Sequence, residues 1–301
     1  DEWNVTPKLT VVPGIRVDSH SSGEEYATSV KVSDSAFPTT KFSKTTVNPR
    51  IAIKYELTPS LVLRANVGTG FRAPYGFSED LHLCSGSPRV WKSSNLKGER
   101  AISYNLSADY YAKKYQFSIN IFRTNLKDKI QFSPADDEVK KFGYSYQWEN
   151  VDDAYVQGVE LGAKANLFRN FNAGINWTFN QGKFKHERAD WSDPNDETVK
   201  EFPQRLQYAK DSRNISRFPA MTGDIDLDYT PGTWTFSLTS SLQGRMFIDY
   251  NSEDDGATSK IKKTNTFMIF NCRAAKRFGT CTVYAGAKNI FSYIQDEKHT
   301  D

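Results

Sequence analysis

The feature that most constrains this chain is a hydrophobic period of two, carried through segments longer than ordinary strands. Ile102, Tyr104, Leu106, Ala108 and Tyr110 alternate with Ser103, Asn105, Ser107 and Asp109. Phe171, Ala173, Ile175, Trp177 and Phe179 alternate with Asn172, Gly174, Asn176, Thr178 and Asn180. Successive side chains of a strand point to opposite faces, so each segment presents one apolar face and one polar face. Tight turns fall at Thr6-Pro7-Lys8, Thr58-Pro59-Ser60, Lys113-Lys114, Phe168-Arg169-Asn170, Thr230-Pro231-Gly232 and Phe278-Gly279. Between them lie polar stretches near 21–45, 71–100, 131–147, 185–216 and 249–264. The spacing predicts about twelve strands of roughly 10–18 residues, with short turns at one end and long loops at the other.

Strands of that length do not suit a soluble sandwich, and no blade repeat marks a propeller. No apolar run approaches the roughly 18 residues of a spanning helix, and Phe267-Met268-Ile269-Phe270 is far too short. The pattern fits an all-β fold, an antiparallel transmembrane β-barrel. In hydrocarbon every backbone polar group must pair within the sheet, which therefore has to close. Leu61, Leu63, Val67, Leu106, Ile119, Ile175 and Leu227 are expected to face lipid. Asn66, Ser107, Asn120, Asn176 and Asp226 are expected to face the lumen. The chain's 15 Tyr, 20 Phe and 6 Trp supply interfacial rings. Tyr110, Tyr111, Tyr115, Trp148, Trp177 and Trp234 are the expected girdle residues.

Charge excludes one class of partner. Lysine and arginine total 39 against 36 acidic residues, and no long basic cluster appears, so a nucleic-acid partner is not expected. Cys84, Cys272 and Cys281 form no C-x-x-C pair. Cys272 and Cys281 are expected to be free thiols facing lipid, with Cys272 opposite Ala285. Asp1–Val5 reads as the end of an earlier strand, and the polar tail from Tyr293 stops before any closing one. Residues 1–301 are therefore expected to be a single-domain piece of a larger barrel.

Several stretches, taken in order, resemble the TonB-dependent outer-membrane receptor family. Thr6 to Asp18 looks like its mid-barrel hairpin. Phe71-Arg72-Ala73-Pro74 is similar to its F-R-A-P box. Ser94-Asn95-Leu96-Lys97-Gly98-Glu99 resembles its N-P-N-L-K-P-E box without either proline. Trp148-Glu149-Asn150-Val151, Ala154, Gly158 and Glu160 resemble the strand written Y-x-N-x-x-x-A-x-x-x-G-x-E. Ala285 to Phe291 resembles the near-terminal strand. The resemblance implies a barrel of 22 strands around an N-terminal plug. This chain would then lack the plug, the first strands and the closing strand. It implies a Gram-negative outer-membrane location and a TonB-type energy-transducing partner acting through that plug. The implied function is active uptake of a large scarce nutrient, a small-molecule metal chelate. A ferric siderophore or haem ranks first, cobalamin second and an oligosaccharide or peptide third. A passive porin-type barrel is the alternative from another class.

The stretch from Phe71 to Arg100 is the richest in candidate ligand contacts: Tyr75, His82, Arg89, Trp91 and Lys92. Haem receptors of the family carry a histidine between the two boxes, and His82 occupies that interval. Its imidazole would be an axial iron ligand, with haem a transported ligand and not a cofactor. A solvated loop histidine is the plainer reading and carries more weight, with 4 histidines in the chain and no visible partner. Trp191, among the cations of 185–216, offers a flat face to a planar anion. Glu253, Asp254 and Asp255 are candidate calcium ligands, against the plainer reading of a hydrated loop tip. The Phe71–Pro74 box reads as architecture more than chemistry. No G-x-S-x-G or H-E-x-x-H occurs, so no enzyme is expected and no resident cofactor apart from a calcium candidate.

Overall fold

The computed structural model describes residues 1–25, 38–75, 90–144, 146–186, 213–215, 217–251 and 259–294. The strands are β1 (Trp3–Thr6), β2 (Leu9–Glu24), β3 (Thr40–Thr58), β4 (Leu61–Arg72), β5 (Val90–Lys92), β6 (Glu99–Tyr111) and β7 (Tyr115–Pro134). After the one-turn helix α1 (Asp137–Lys140) come β8 (Tyr146–Phe168), β9 (Phe171–Phe184), β10 (Met221–Tyr229), β11 (Trp234–Gln243), β12 (Phe247–Asn251), β13 (Ser259–Lys263), β14 (Phe267–Phe278) and β15 (Cys281–Ala287). Twelve of them form an antiparallel meander in the order β1-β2-β3-β4-β6-β7-β8-β9-β10-β11-β14-β15. Among the described residues this order is linear, with β1 and β15 as its edges.

Exposure along the strands is inverted relative to a soluble protein. In β6, Ile102, Tyr104 and Leu106 are exposed, while Ser103, Asn105 and Ser107 between them are half-buried. Phe117, Ile119 and Ile121 of β7 are likewise exposed between half-buried Ser118, Asn120 and Phe122. Register carries the pattern across the sheet: Leu106 lies opposite Ile121, Ile119 opposite Leu161, and Ile175 opposite Ile225. The apolar residues thus share one continuous outward face that only lipid can cover. The other face is laced by side-chain hydrogen bonds. Asn105 donates to Asn66 (3.0 Å), Asn120 to Glu160 (2.9 Å) and Asn176 to Asp224 (2.8 Å). Arg64 pairs with Asp109 on the same face. These groups stay hydrated or paired in a wet lumen, so the expected split of faces is the observed one.

At the short-turn end, rings stack in a row: Tyr110 and Tyr115 each against Phe117, Phe168 on Phe171, and Trp234 on Phe236. Three expected girdle residues sit elsewhere. Tyr111 lies opposite Gln116, one position out of phase with Tyr110, and so belongs to the lumen face. Trp177 lies well above the turn row and lines an outward groove beside Ile119 and Leu161. Trp148 is buried, at 7% exposure, in a cluster above the outward apolar face. Cys272 and Cys281 are free and exposed, as expected, but Cys272 pairs with Ala287 and not Ala285. The turn is centred one residue later than the sequence reading placed it, on Gly279-Thr280, because Phe278 still pairs with Cys281.

The strands are also longer than expected, with 19 residues in β3, 20 in β7 and 23 in β8. Only part of each needs a lipid-facing stripe. Beyond that part the hairpins continue with polar residues, so 21–45 and 131–147 are partly strand. β12 and β13 pair as a separate ribbon, and α1 is a single turn capped by Asp136, which accepts from the Val139 N–H.

Candidate ligand-recognition platform

At the long-loop end the family-like boxes meet in space. Tyr75, Leu96, Ile130 and Trp148 form a buried cluster, with Phe42 packed against it. They come from the segment after β4, the segment before β6, β7 and β8, and no pair among them is local. The Tyr75 hydroxyl donates to the Ser93 carbonyl (2.8 Å) and accepts from the Leu96 N–H (3.3 Å). Burial pushes its phenol above the usual value, the Leu96 N–H pulls it back in part, and the charge of Glu24 adds to the rise. Tyr75 is only 5% exposed, so it packs the platform and does not offer a face to a ligand here.

Asn150 holds the second box in place. Its Oδ1 accepts from the Lys97 N–H (2.8 Å), and its Nδ2 donates to the carbonyls of Lys97 (3.0 Å) and Asp128 (2.8 Å). One amide thus ties three chain segments, using its donor and acceptor groups together. Leu96 plugs into the cluster, while Asn95 is exposed and its N–H bonds Ser93 Oγ. Phe71 stacks on Phe42 and lies against His20, with Lys44 over its ring. A Cβ on Gly98 would come within 2.3 Å of that ring. Glycine here, where the family box has proline, keeps Phe71 seated. Arg72 lies 4.0 Å from Glu99, and half-buried Ala73 leads to Pro74, whose carbonyl accepts from Ser22. Gly158 faces the lumen under Phe122, where a Cβ would meet the Phe179 carbonyl at 2.2 Å. Glu160 accepts from Asn120.

This block clamps the ends of segment 76–89. On one side is Tyr75. On the other, β5 runs parallel to β8, and Lys92 Nζ meets Glu24 at 2.6 Å with the lysine 7% exposed. Trp91 is half-buried between them. His82 and Arg89 fall within the clamped segment and lie outside the described residues, as do Trp191 and the Glu253, Asp254, Asp255 group between β12 and β13. The structure therefore brings Tyr75, Trp91, Leu96, Trp148 and Asn150 to one place. The sequence reading missed Trp148, Ile130 and Lys92–Glu24 as platform residues. The Asn150 spacing was the one local signal that pointed there.

A second strap lies at the base of segment 187–212. Asp152 accepts from the His186 backbone N–H (2.6 Å), and its other oxygen faces the ring Nδ1 (3.0 Å). Burial works to raise its carboxyl, but the His186 N–H and ring, the Asp153 N–H and the His186 charge outweigh it and hold it below the usual value. A depressed carboxyl stabilises above its unfolded pKa and loses that contribution as pH falls through its folded value. Exchange protection of the His186 amide is therefore expected to hold from neutral pH to about pH 4 and to drop only in stronger acid. Asp152→Asn should flatten that acid limb. A limb that survives the substitution would assign it to another group.

The chain matches the family described as TonB dependent receptor-like, beta-barrel, over residues 1–290. It is 26% identical over 229 residues to the vitamin B12 transporter BtuB of Photobacterium profundum, covering 75% of this chain and 30% of that protein. It is 25% identical over 199 residues to the ferric enterobactin receptor of Pseudomonas aeruginosa, covering 60% of this chain and 23% of that protein. The solved structure of the copper transporter OprC shares the fold, with a TM-score of 0.68 at 19% identity over 96% of this chain and 41% of that one. The chain thus spans less than a third of the curated relatives' length. These relatives are transporters and receptors, not enzymes. With its outward apolar face, wet inner face and loops gathered at one end, the chain belongs to the TonB-dependent receptors of the Gram-negative outer membrane and forms part of their β-barrel.

Proposed function

We propose that the receptor containing this chain takes up a metal chelate, with an iron complex, a ferric siderophore or haem, as its cargo. The observation that carries the reading is the clamped platform. It holds both ends of segment 76–89, which carries Phe77, His82 and Arg89, at the loop end of the barrel, where an external solute arrives. A rigid base under a recognition loop lowers the ordering cost of binding. The relatives support the chemistry, because they include a ferric enterobactin receptor and a vitamin B12 transporter, both named for bulky metal chelates. Cargo release then runs through plug rearrangement driven by a TonB-type protein. In this reading His82 supplies iron ligation if the cargo is haem, and Arg89, Trp91 and Trp191 supply charge and stacking.

The test is a titration of the full-length receptor with a ferric catecholate, haem and cobalamin in parallel. Tight binding of an iron complex, with cobalamin weak, is the expected result. For haem, His82→Ala should weaken binding and shift the Soret band. Coincident spectra would remove haem from the ranking, and preferential cobalamin binding would overturn the iron reading.

A further inference from the structure

The short strand β5 has a second face. Successive side chains of a strand point opposite ways. Lys92 turns to Glu24 and the platform. Trp91 therefore turns the other way, to the side where its cross-strand partner Gln147 accepts from the Asp136 N–H (3.3 Å) at the start of α1. A cavity of about 430 Å³ opens there, and Pro38, Trp91, Asp136, Glu138 and Phe142 line it. They come from three separate segments: the approach to β3, β5, and α1 with its flanks. The cavity thus exists only once the loop end has assembled.

Its acidic wall is held in place from below. Val139, at 4% exposure, anchors α1, and its N–H donates to Asp136 Oδ1 (2.9 Å). Among the described residues Asp136 Oδ2 has no partner. Glu138 pairs with Lys141, with side chains 80% and 64% exposed. An exposed pair of that kind contributes little and exchanges partners readily. No basic residue is among those lining the cavity. Phe142 is exposed and Trp91 half-buried, so two aromatic rings border the same space as two carboxylates.

We propose that this cavity binds an organic cation, an ammonium or guanidinium group on an apolar stem, carried as a side arm of the cargo. The inference deepens the metal-chelate reading and rests on it for the identity of the cargo. Charge complementarity selects the group. Two carboxylates with no basic neighbour in the lining repel an anionic arm and attract a cationic one. Charge-assisted hydrogen bonds to Asp136 Oδ2 and Glu138 would hold its head. The rings of Trp91 and Phe142 attract a cation through their electron-rich faces and cover the stem. Trp91 stands two residues beyond segment 76–89, so one molecule seated on the clamp meets both places. A second contact made by a tethered arm adds affinity without a second loss of translational freedom.

The experiment uses the full-length receptor and two ferric tris-catecholates that differ in one arm, a free aminohexyl chain or the same chain acetylated. By calorimetric titration the wild type should bind the amine form about tenfold more tightly. Asp136→Asn/Glu138→Gln should erase that preference and leave affinity for the acetylated form unchanged, because asparagine caps α1 as well as aspartate does. Trp91→Leu, which keeps apolar volume without the indole, should reduce the preference. A second arm needs no chelate: millimolar N-acetyl-arginine amide against its citrulline analogue, read by saturation-transfer NMR, with the arginine signal expected only in the wild type. Equal affinity for the two chelates would overturn the proposal, and so would a preference that survives the double variant. If neither chelate binds, the metal-chelate reading fails, and the arginine arm decides the cavity by itself. A carboxylate-dependent signal upholds its cation specificity, and no signal overturns it.

Discussion

Leu106→Arg is expected to lower barrel stability by about 2–4 kcal/mol, whereas Asn105→Arg, one residue away, should cost far less. Leu106 is 58% exposed on the outward face, opposite Ile121 and beside Val67 and Tyr104 along the groove. An arginine there would sit between Ala65 and Ile121, the apolar cross-strand neighbours of Leu106, and its guanidinium must either be desolvated or reach for the interface. Asn105 points into the lumen and donates to Asn66. A charge placed there remains in water, near the Arg64–Asp109 pair. The measurement is reversible urea unfolding of the full-length receptor in lipid vesicles. Equal costs on the two faces would overturn the assignment of lipid and lumen sides.

Trp148→Ala should cost about 3–5 kcal/mol, local to the platform. Trp148 is packed against Tyr75, Leu96 and Ile130, each of which reaches the cluster from a different segment. Removing the ring leaves a void that three tethered segments cannot collapse to fill. The loss should appear as faster hydrogen exchange in 90–98 and 146–150, with the strands below unchanged. Cargo affinity should fall because the ends of segment 76–89 are no longer held. Trp148→Phe, which keeps most of the apolar volume, should restore most of the protection. Unchanged exchange in Trp148→Ala would show that the cluster does not hold the clamp.

Much of the barrel was legible from one-dimensional pattern because its solvent imposes a strict rule. Lipid outside and water inside force a period of two on every spanning strand, and backbone pairing leaves no other arrangement. The alternation through Ile102–Tyr110 and Phe171–Phe179, the turns at Thr58-Pro59-Ser60 and Phe278-Gly279, and the gathering of loops at one end are direct consequences. The order of boxes around Phe71, Asn95, Asn150 and Gly158 likewise indicated the family, though not what those residues do.

Their work is tertiary. Asn150 reads as one letter of a motif, yet its amide joins Lys97 and Asp128 only because β8 returns beside them. Trp148 and Tyr75 looked like interface and ligand-facing rings, and packing from distant segments buried both. The opposition of Arg100 and Lys127 is set by the register of β6 on β7, which no local spacing contains. Periodicity belongs to the strand and its solvent and so is written in the sequence. Contacts between segments far apart depend on register and closure, and those are decided only when the sheet forms.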